Sequence, residues 1–171
     1  TVQIGRIAAT GMAHAPRPLR LCYAGDVAFL SASQLDPARQ RLQMGAELIG
    51  TDSVAAASEI VSVAIDALMA AGVTNISVDF TLPNLVDALA QDAMPLAPDQ
   101  REEVRRELDT KDAGGLREAG GDAYLPLLYA TGDFATAIDK LAALDAGGAL
   151  ASRIEGLRTI AATIGERARV T

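Results

Sequence analysis

Tryptophan is absent from this chain, cysteine and histidine occur once each, and aromatic residues make up only 4% of the total. A lone Cys22 cannot close an internal disulfide, so a reducing cytoplasmic setting is expected. A lone His14 excludes zinc sites built from several imidazoles or thiolates and leaves little for a Cys–His or Ser–His–Asp device. The carboxylates are scattered, with no ligand spacing among them, so neither a metal nor a cofactor is expected. His14 lies in the loop-like GMAHAPRP and is expected at the surface, whereas Cys22 falls in an apolar strand and is expected in the core. No run of about 20 apolar residues occurs, since SVAIDALMAAGV is broken by Asp66, and no membrane helix is expected. A signal-peptide pattern is also missing. The first residue is not methionine and sits in what reads as a helix, so the chain is expected to be a fragment.

What is present is a 171-residue, alanine-rich sequence with 50% hydrophobic residues. That length suits one domain or one and a half, burying roughly 70% of the unfolded surface. The net charge of −7 argues against a non-specific nucleic-acid or anionic-membrane surface.

The segment that organises the rest is Arg39 to Gly50. Strand alternation puts Leu42, Met44, Ala46 and Leu48 on one face and Arg39, Arg41, Gln43, Gly45 and Glu47 on the other. The second face reads equally as a solvated strand face or as a floor for a small zwitterion, with the carboxylate for an ammonium and the amide and arginines for a carboxylate. A glycine in mid-strand marks a place where something approaches the backbone closely.

In chain order, Thr1 is expected to N-cap a helix through Ala9 with Ile4, Ile7 and Ala8 inward and Gly11 as the stop. Leu19 to Phe29 alternates as a strand, with a bulge or bend at Gly25–Asp26, and forms an antiparallel hairpin with Arg39–Gly50 across the loop SASQLDPAR. Asp52 is the expected N-cap of a helix running to Gly72, with a stripe of Val54, Ala57, Val61, Ala64 and Leu68 widened by Ile60 and Ile65. A strand at Asn75–Thr81 and a short helix carrying Leu85, Val86 and Leu89 follow. Composition shifts after Gln91: a linker-like AMPLAPDQ precedes a charged helix with a Glu102–Arg106 pair. GLREAGGD has phosphate-loop glycine spacing but lacks the Lys and Ser/Thr that grip phosphate and metal, and is rejected as a nucleotide site. Two helices close the chain as a hairpin, one capped by Asp133 with Phe134, Ile138 and Leu141, the other carrying Leu150, Ile154, Leu157, Ala161 and Ile164.

PLRLCYAGDVAFLSASQLDPARQRLQMGAELIG resembles the motif 2 region of class II aminoacyl-tRNA synthetases in its histidyl-tRNA synthetase form. It is more similar still to that enzyme's non-synthetase relative, the regulatory subunit of ATP phosphoribosyltransferase. SEIVSVAIDALMAAGV resembles the helix that follows motif 2, and LDTKD a segment of the helical insertion. The resemblance implies that Gln43 and Glu47 touch bound histidine, with Arg39 beside them and Thr1 ending the family's preceding motif. It also implies a lost ATP site. Phe29 stands where the synthetase has its phosphate-binding arginine, Ser31 where it has a glutamate, and Pro37 where it has a loop arginine. Losing one preorganised charge of that kind costs about 100- to 1,000-fold in rate, so no catalytic residue is expected.

The expected fold is therefore α+β, a partial class II synthetase-like antiparallel sheet with flanking helices and a helical C-terminal segment. Residues 1–91 belong to the core in this scheme and 92–171 to a helical insertion. The implied function is a non-catalytic regulatory subunit that joins the short catalytic subunit of ATP phosphoribosyltransferase in histidine biosynthesis, takes histidine as effector and self-associates, without membrane or tRNA binding. The alternatives are a histidyl-tRNA synthetase catalytic fragment and a free-standing amino-acid-binding or scaffold protein.

Overall fold

A computed structural model describes residues 2–30, 37–91 and 93–171 of the 171. The expected cap at Thr1, the site residue Ser31 and most of the SASQLDPAR loop lie outside the described residues. The chain forms two compact units, Thr1–Gly72 and Val73–Thr171. The composition shift after Gln91 is not a packing boundary, because Val86 and Leu89 share a core with Val104, Leu116 and Tyr124.

The first unit runs α1 (Val2–Ala9), β1 (Leu19–Ala28), β2 (Gln40–Ile49) and α2 (Val54–Ala70). β1 and β2 pair antiparallel from Leu19↔Ile49 to Ala28↔Gln40. The register passes through Gly25↔Gln43 and Asp26↔Leu42 without a break, so the expected bulge at Gly25–Asp26 is absent. Both residues fit the regular pleat, and Gly25 needs no positive φ there. In α1, Ala8 is buried but Ile7 is half exposed, a departure from the expected inward face. Arg17 holds the end of that helix by donating to the carbonyls of Ala8, Met12 and Ala15.

Ser53, one residue beyond the expected Asp52, caps α2 by accepting from the Ala56 N–H at 3.1 Å. Both residue types can cap; the first helical turn starts at Val54 and so selects its immediate neighbour. The inward line of α2 is Ser58 and Ile65, with Val61 and Ser62 half-buried between them. Val54, Ala57, Ala64 and Leu68 of the expected stripe are exposed, while Glu59 on the hairpin side of the helix accepts two hydrogen bonds from Arg20 of β1. By alternation, Arg20 lies on the hairpin face opposite Gln43 and Glu47, and α2 sits against that face.

The second unit holds β3 (Ser77–Val78), α3 (Leu85–Ala90), α4 (Pro98–Thr110), α5 (Ala113–Glu118), a 3-10 helix (Asp122–Tyr129), α6 (Phe134–Leu144), α7 (Ala151–Ile164) and β4 (Arg169–Val170). β3 pairs in parallel with β4, a partner the sequence pattern does not announce. Pro98 opens α4, where its missing N–H costs nothing. Arg106 of α4 pairs with Glu103 and Glu107 in place of the expected Glu102. Asp112 caps α5 by accepting from the N–H groups of Gly114 and Gly115. These glycines therefore serve a helix start, and their amides are already taken. Asp133 caps α6 as expected, and α6 and α7 pack together with an Arg158–Asp139 ion pair between them. At the centre lies Tyr124, fully buried, its hydroxyl donating to the Met94 carbonyl at 2.7 Å.

Candidate functional site

The antiparallel register decides which side chains share a face. Leu21 faces Glu47, Tyr23 faces Gly45, Gly25 faces Gln43 and Val27 faces Arg41. One strand position beyond β1, the Phe29 N–H donates to the Arg39 carbonyl at 2.8 Å, so Phe29 and Arg39 extend the same face. Arg39, Arg41, Gln43, Gly45 and Glu47 thus form one band, as alternation predicts.

Gln43, Gly45 and Glu47 are half-buried, whereas Arg39 and Arg41 are exposed. On the opposite face Leu42 and Met44 are 71% and 76% exposed, and Cys22 is an exposed free thiol. The expectation that Cys22 is core therefore fails: α2 covers the far end of that face near Arg20 and leaves the middle open. His14 is exposed, as expected for its loop.

The gap at Gly45 is filled from within the hairpin. A Cβ at this position would lie 2.4 Å from Cζ and Oη of Tyr23, so the ring lies directly over the glycine backbone. This is an aromatic ring covering a cross-strand glycine. The Tyr23 hydroxyl accepts a hydrogen bond from Gln43 Nε2 at 2.9 Å. Tyr23 was not among the residues read as site residues from the sequence. The signal was available in the hairpin register, which sets an aromatic residue opposite the glycine that β2 contributes to this face.

At the other end of the band the Arg41 guanidinium stacks over the Phe29 ring, 4.9 Å from its centroid. Phe29 is 44% exposed. This end presents an aromatic surface with a cation against it, held by cation–π attraction. Pro37 is exposed, and Arg39 carries a second guanidinium with no side-chain partner among the described residues. The Glu47 carboxylate likewise has no hydrogen bond or ion pair among the described residues.

Chemically the face offers a cationic end at Arg39 and Arg41, an amide at Gln43, a phenol ring over Gly45 and a carboxylate at Glu47. Those groups can bind a small molecule with separated positive and negative parts by hydrogen bonds and charge. A nucleophile and base in hydrogen-bond contact, the minimum for covalent chemistry, do not occur in the band. No group of three or more potential metal ligands occurs among the described residues. The second unit contains an apolar cleft of about 140 Å³ lined by Phe80, Leu85, Leu127, Phe134 and neighbours, with no charged side chain in its wall. No helix among the described residues is long and apolar enough to cross a membrane.

Comparison with known proteins gives this geometry a family context. The family model described as histidyl-tRNA synthetase matches residues 1–171. The chain is 41% identical over 164 residues to a Rhodospirillum rubrum protein named ATP phosphoribosyltransferase regulatory subunit, covering 94% of this chain and 42% of that protein. A Gluconobacter oxydans protein of the same name is 36% identical over 170 residues, covering 98% of this chain and 44% of that one. A crystal structure from Bacillus halodurans, described as an ATP phosphoribosyltransferase regulatory subunit/histidyl-tRNA synthetase, superposes with a TM-score of 0.78 at 26% identity over 98% of this chain and 45% of that one. The chain therefore spans less than half the length of these relatives, and its α+β fold is that of the class II synthetase-like group.

Proposed function

This chain belongs to the histidyl-tRNA synthetase family, and from that premise we propose that it is part of a non-catalytic regulatory subunit of ATP phosphoribosyltransferase. In this reading it joins a short catalytic subunit for the first step of histidine biosynthesis and takes part in histidine feedback. The observation that carries the proposal is one strand face with two different ends. Gln43 and Glu47 lie on this face and can meet an amino acid, while Phe29, with Arg41 stacked on it, holds the position that the motif 2 resemblance matches to the synthetase's phosphate-binding arginine. Phe29 itself supplies no cation, so a triphosphate would lack the arginine that the resemblance leads one to expect at that position. The names carried by relatives at 36–41% identity support the same role.

Residues 1–91 are then part of the synthetase-like core and 92–171 the helical insertion, a division by family segments that differs from the division by packing. Histidine is the effector, bound by Gln43 and Glu47 with Arg39 and Thr1 beside them. Feedback requires that histidine bind two quaternary states with different affinity, since equal binding shifts nothing. The assembly is a cytoplasmic hetero-oligomer that also self-associates and does not bind tRNA.

The second reading, a histidyl-tRNA synthetase fragment, is favoured by the family model's own description. ATP–pyrophosphate exchange on the full-length protein separates the two. The regulatory reading expects no histidine-dependent exchange, and clear exchange sinks it. Co-purification with the short catalytic subunit tests the partner, and a full-length protein that never associates with it leaves only a free-standing binding protein.

A further inference from the structure

We infer that Tyr23 is the positioning residue of the amino-acid face: it fixes the rotation of the Gln43 amide and forms the floor between Gln43 and Glu47. The inference rests on the reading of that face as a histidine site. The torsion that turns a glutamine amide is broad and nearly two-fold, so an unheld amide presents its oxygen and nitrogen to either side. In this protein Gln43 Nε2 donates to the Tyr23 hydroxyl at 2.9 Å, which leaves Gln43 Oε1 as the amide's free acceptor. The hydroxyl keeps its own proton and can donate it onward.

Gly45 makes the arrangement possible. Tyr23 and Gly45 are cross-strand partners, and any Cβ at position 45 would fall 2.4 Å from the phenol. The ring therefore occupies the space between Gln43 and Glu47, two positions to either side of the glycine on the same face. A ligand that reaches both residues crosses Tyr23. It meets two acceptors, Gln43 Oε1 and the Glu47 carboxylate, separated by an aromatic surface that favours a planar or cationic group. That set selects an amino acid with an N–H-bearing, planar side chain over an aliphatic one.

The test is a double-mutant cycle read by calorimetry of L-histidine binding to the full-length protein, with wild type, Tyr23→Phe, Gln43→Ala and the double variant. The expected result is that Tyr23→Phe weakens binding about fivefold, the equivalent of one hydrogen bond, and that it costs nothing further once Gln43 is alanine. A purely structural tyrosine would lower affinity by the same factor in both backgrounds. That additive outcome overturns the inference while leaving the histidine site in place, and so does a Tyr23→Phe protein that binds as tightly as wild type. A wild-type protein that does not bind L-histidine removes the site reading and this inference together. Gln43→Met replaces Gln43→Ala in the cycle should the alanine variant fail to fold.

Discussion

The two units bury their apolar residues to very different extents. Among the described residues, fifteen of the buried hydrophobic side chains belong to the second unit and only Ala8, Leu19 and Ile65 to the first. Large exposed hydrophobics show the reverse, ten in the first unit against Val73 and Tyr129 in the second. A two-stranded hairpin has one face for a single helix to cover, whereas short helices can surround a common centre such as Tyr124. The unit with the closed core has its charged side chains at the rim, in open clefts such as the one lined by Asn84, Asp87, Gln91 and Arg153. The unit with the open hairpin carries the candidate site, whose side chains project from a regular strand where pleat and register alone fix their order.

The largest expected effect tests this contrast directly. Leu116 is fully buried in the second unit's core, so Leu116→Ala should destabilise the chain by about 3 kcal/mol in urea titration, within the usual range for such cavities. Met44, 76% exposed on the hairpin, should give Met44→Ala a cost below about 0.5 kcal/mol. Equal costs would mean that the hairpin face is covered in solution, and the contrast would fall.

Gly45→Val comes next. The added Cβ overlaps the Tyr23 ring, so the ring must leave or the strands must part, at about 1–3 kcal/mol. Circular dichroism in the near-ultraviolet should report a changed tyrosine environment in the same variant, and an unchanged spectrum would contradict the stacked geometry. Tyr124→Phe is smaller. It keeps the ring in the core and removes one hydrogen bond to the Met94 carbonyl, for about 1 kcal/mol.

Period and caps made most elements legible beforehand. The hairpin, the helix ending near Gly72, the α6–α7 pair and the Asp133 cap follow from alternation, helical spacing and punctuation. Rotation about an element's own axis was less legible. The apolar spacing of α2 points to Val54–Ala57–Val61–Ala64–Leu68, yet the buried residues are Ser58 and Ile65, since an alanine-rich helix offers several apolar lines of similar strength. Cys22 misled for a related reason: an apolar neighbourhood in sequence does not reveal whether anything lies over it. The candidate band was legible residue by residue, but Tyr23 was not, because its role appears only when the register sets it against Gly45. β4 and the 3-10 helix around Tyr124 carry too few residues of any period to announce themselves.

The Arg20–Glu59 pair supplies the smallest prediction and the one most dependent on conditions. Glu59's carboxyl is held below its ordinary value of 4.5 chiefly by its hydrogen bonds from Arg20, with the guanidinium's charge acting in the same direction. A depressed folded value means that the unfolded chain binds a proton more readily in the window below 4.5. The contribution is therefore complete above that pH and is lost as pH falls through the folded value. Both groups are solvent-exposed, so the effect is small and weakens with salt. Urea midpoints measured from pH 7 down to pH 3 should fall less steeply in Glu59→Gln than in wild type, with the difference shrinking in 0.5 M salt, on the order of a few Å of Debye length. The variant should also loosen α2 against Arg20's face of the hairpin and leave the Tyr23–Gln43 hydrogen bond on the other face intact. A Glu59→Gln protein that lost L-histidine binding in the full-length context would show that the two faces are coupled through the strand pair, and the site could no longer be treated as the property of one face.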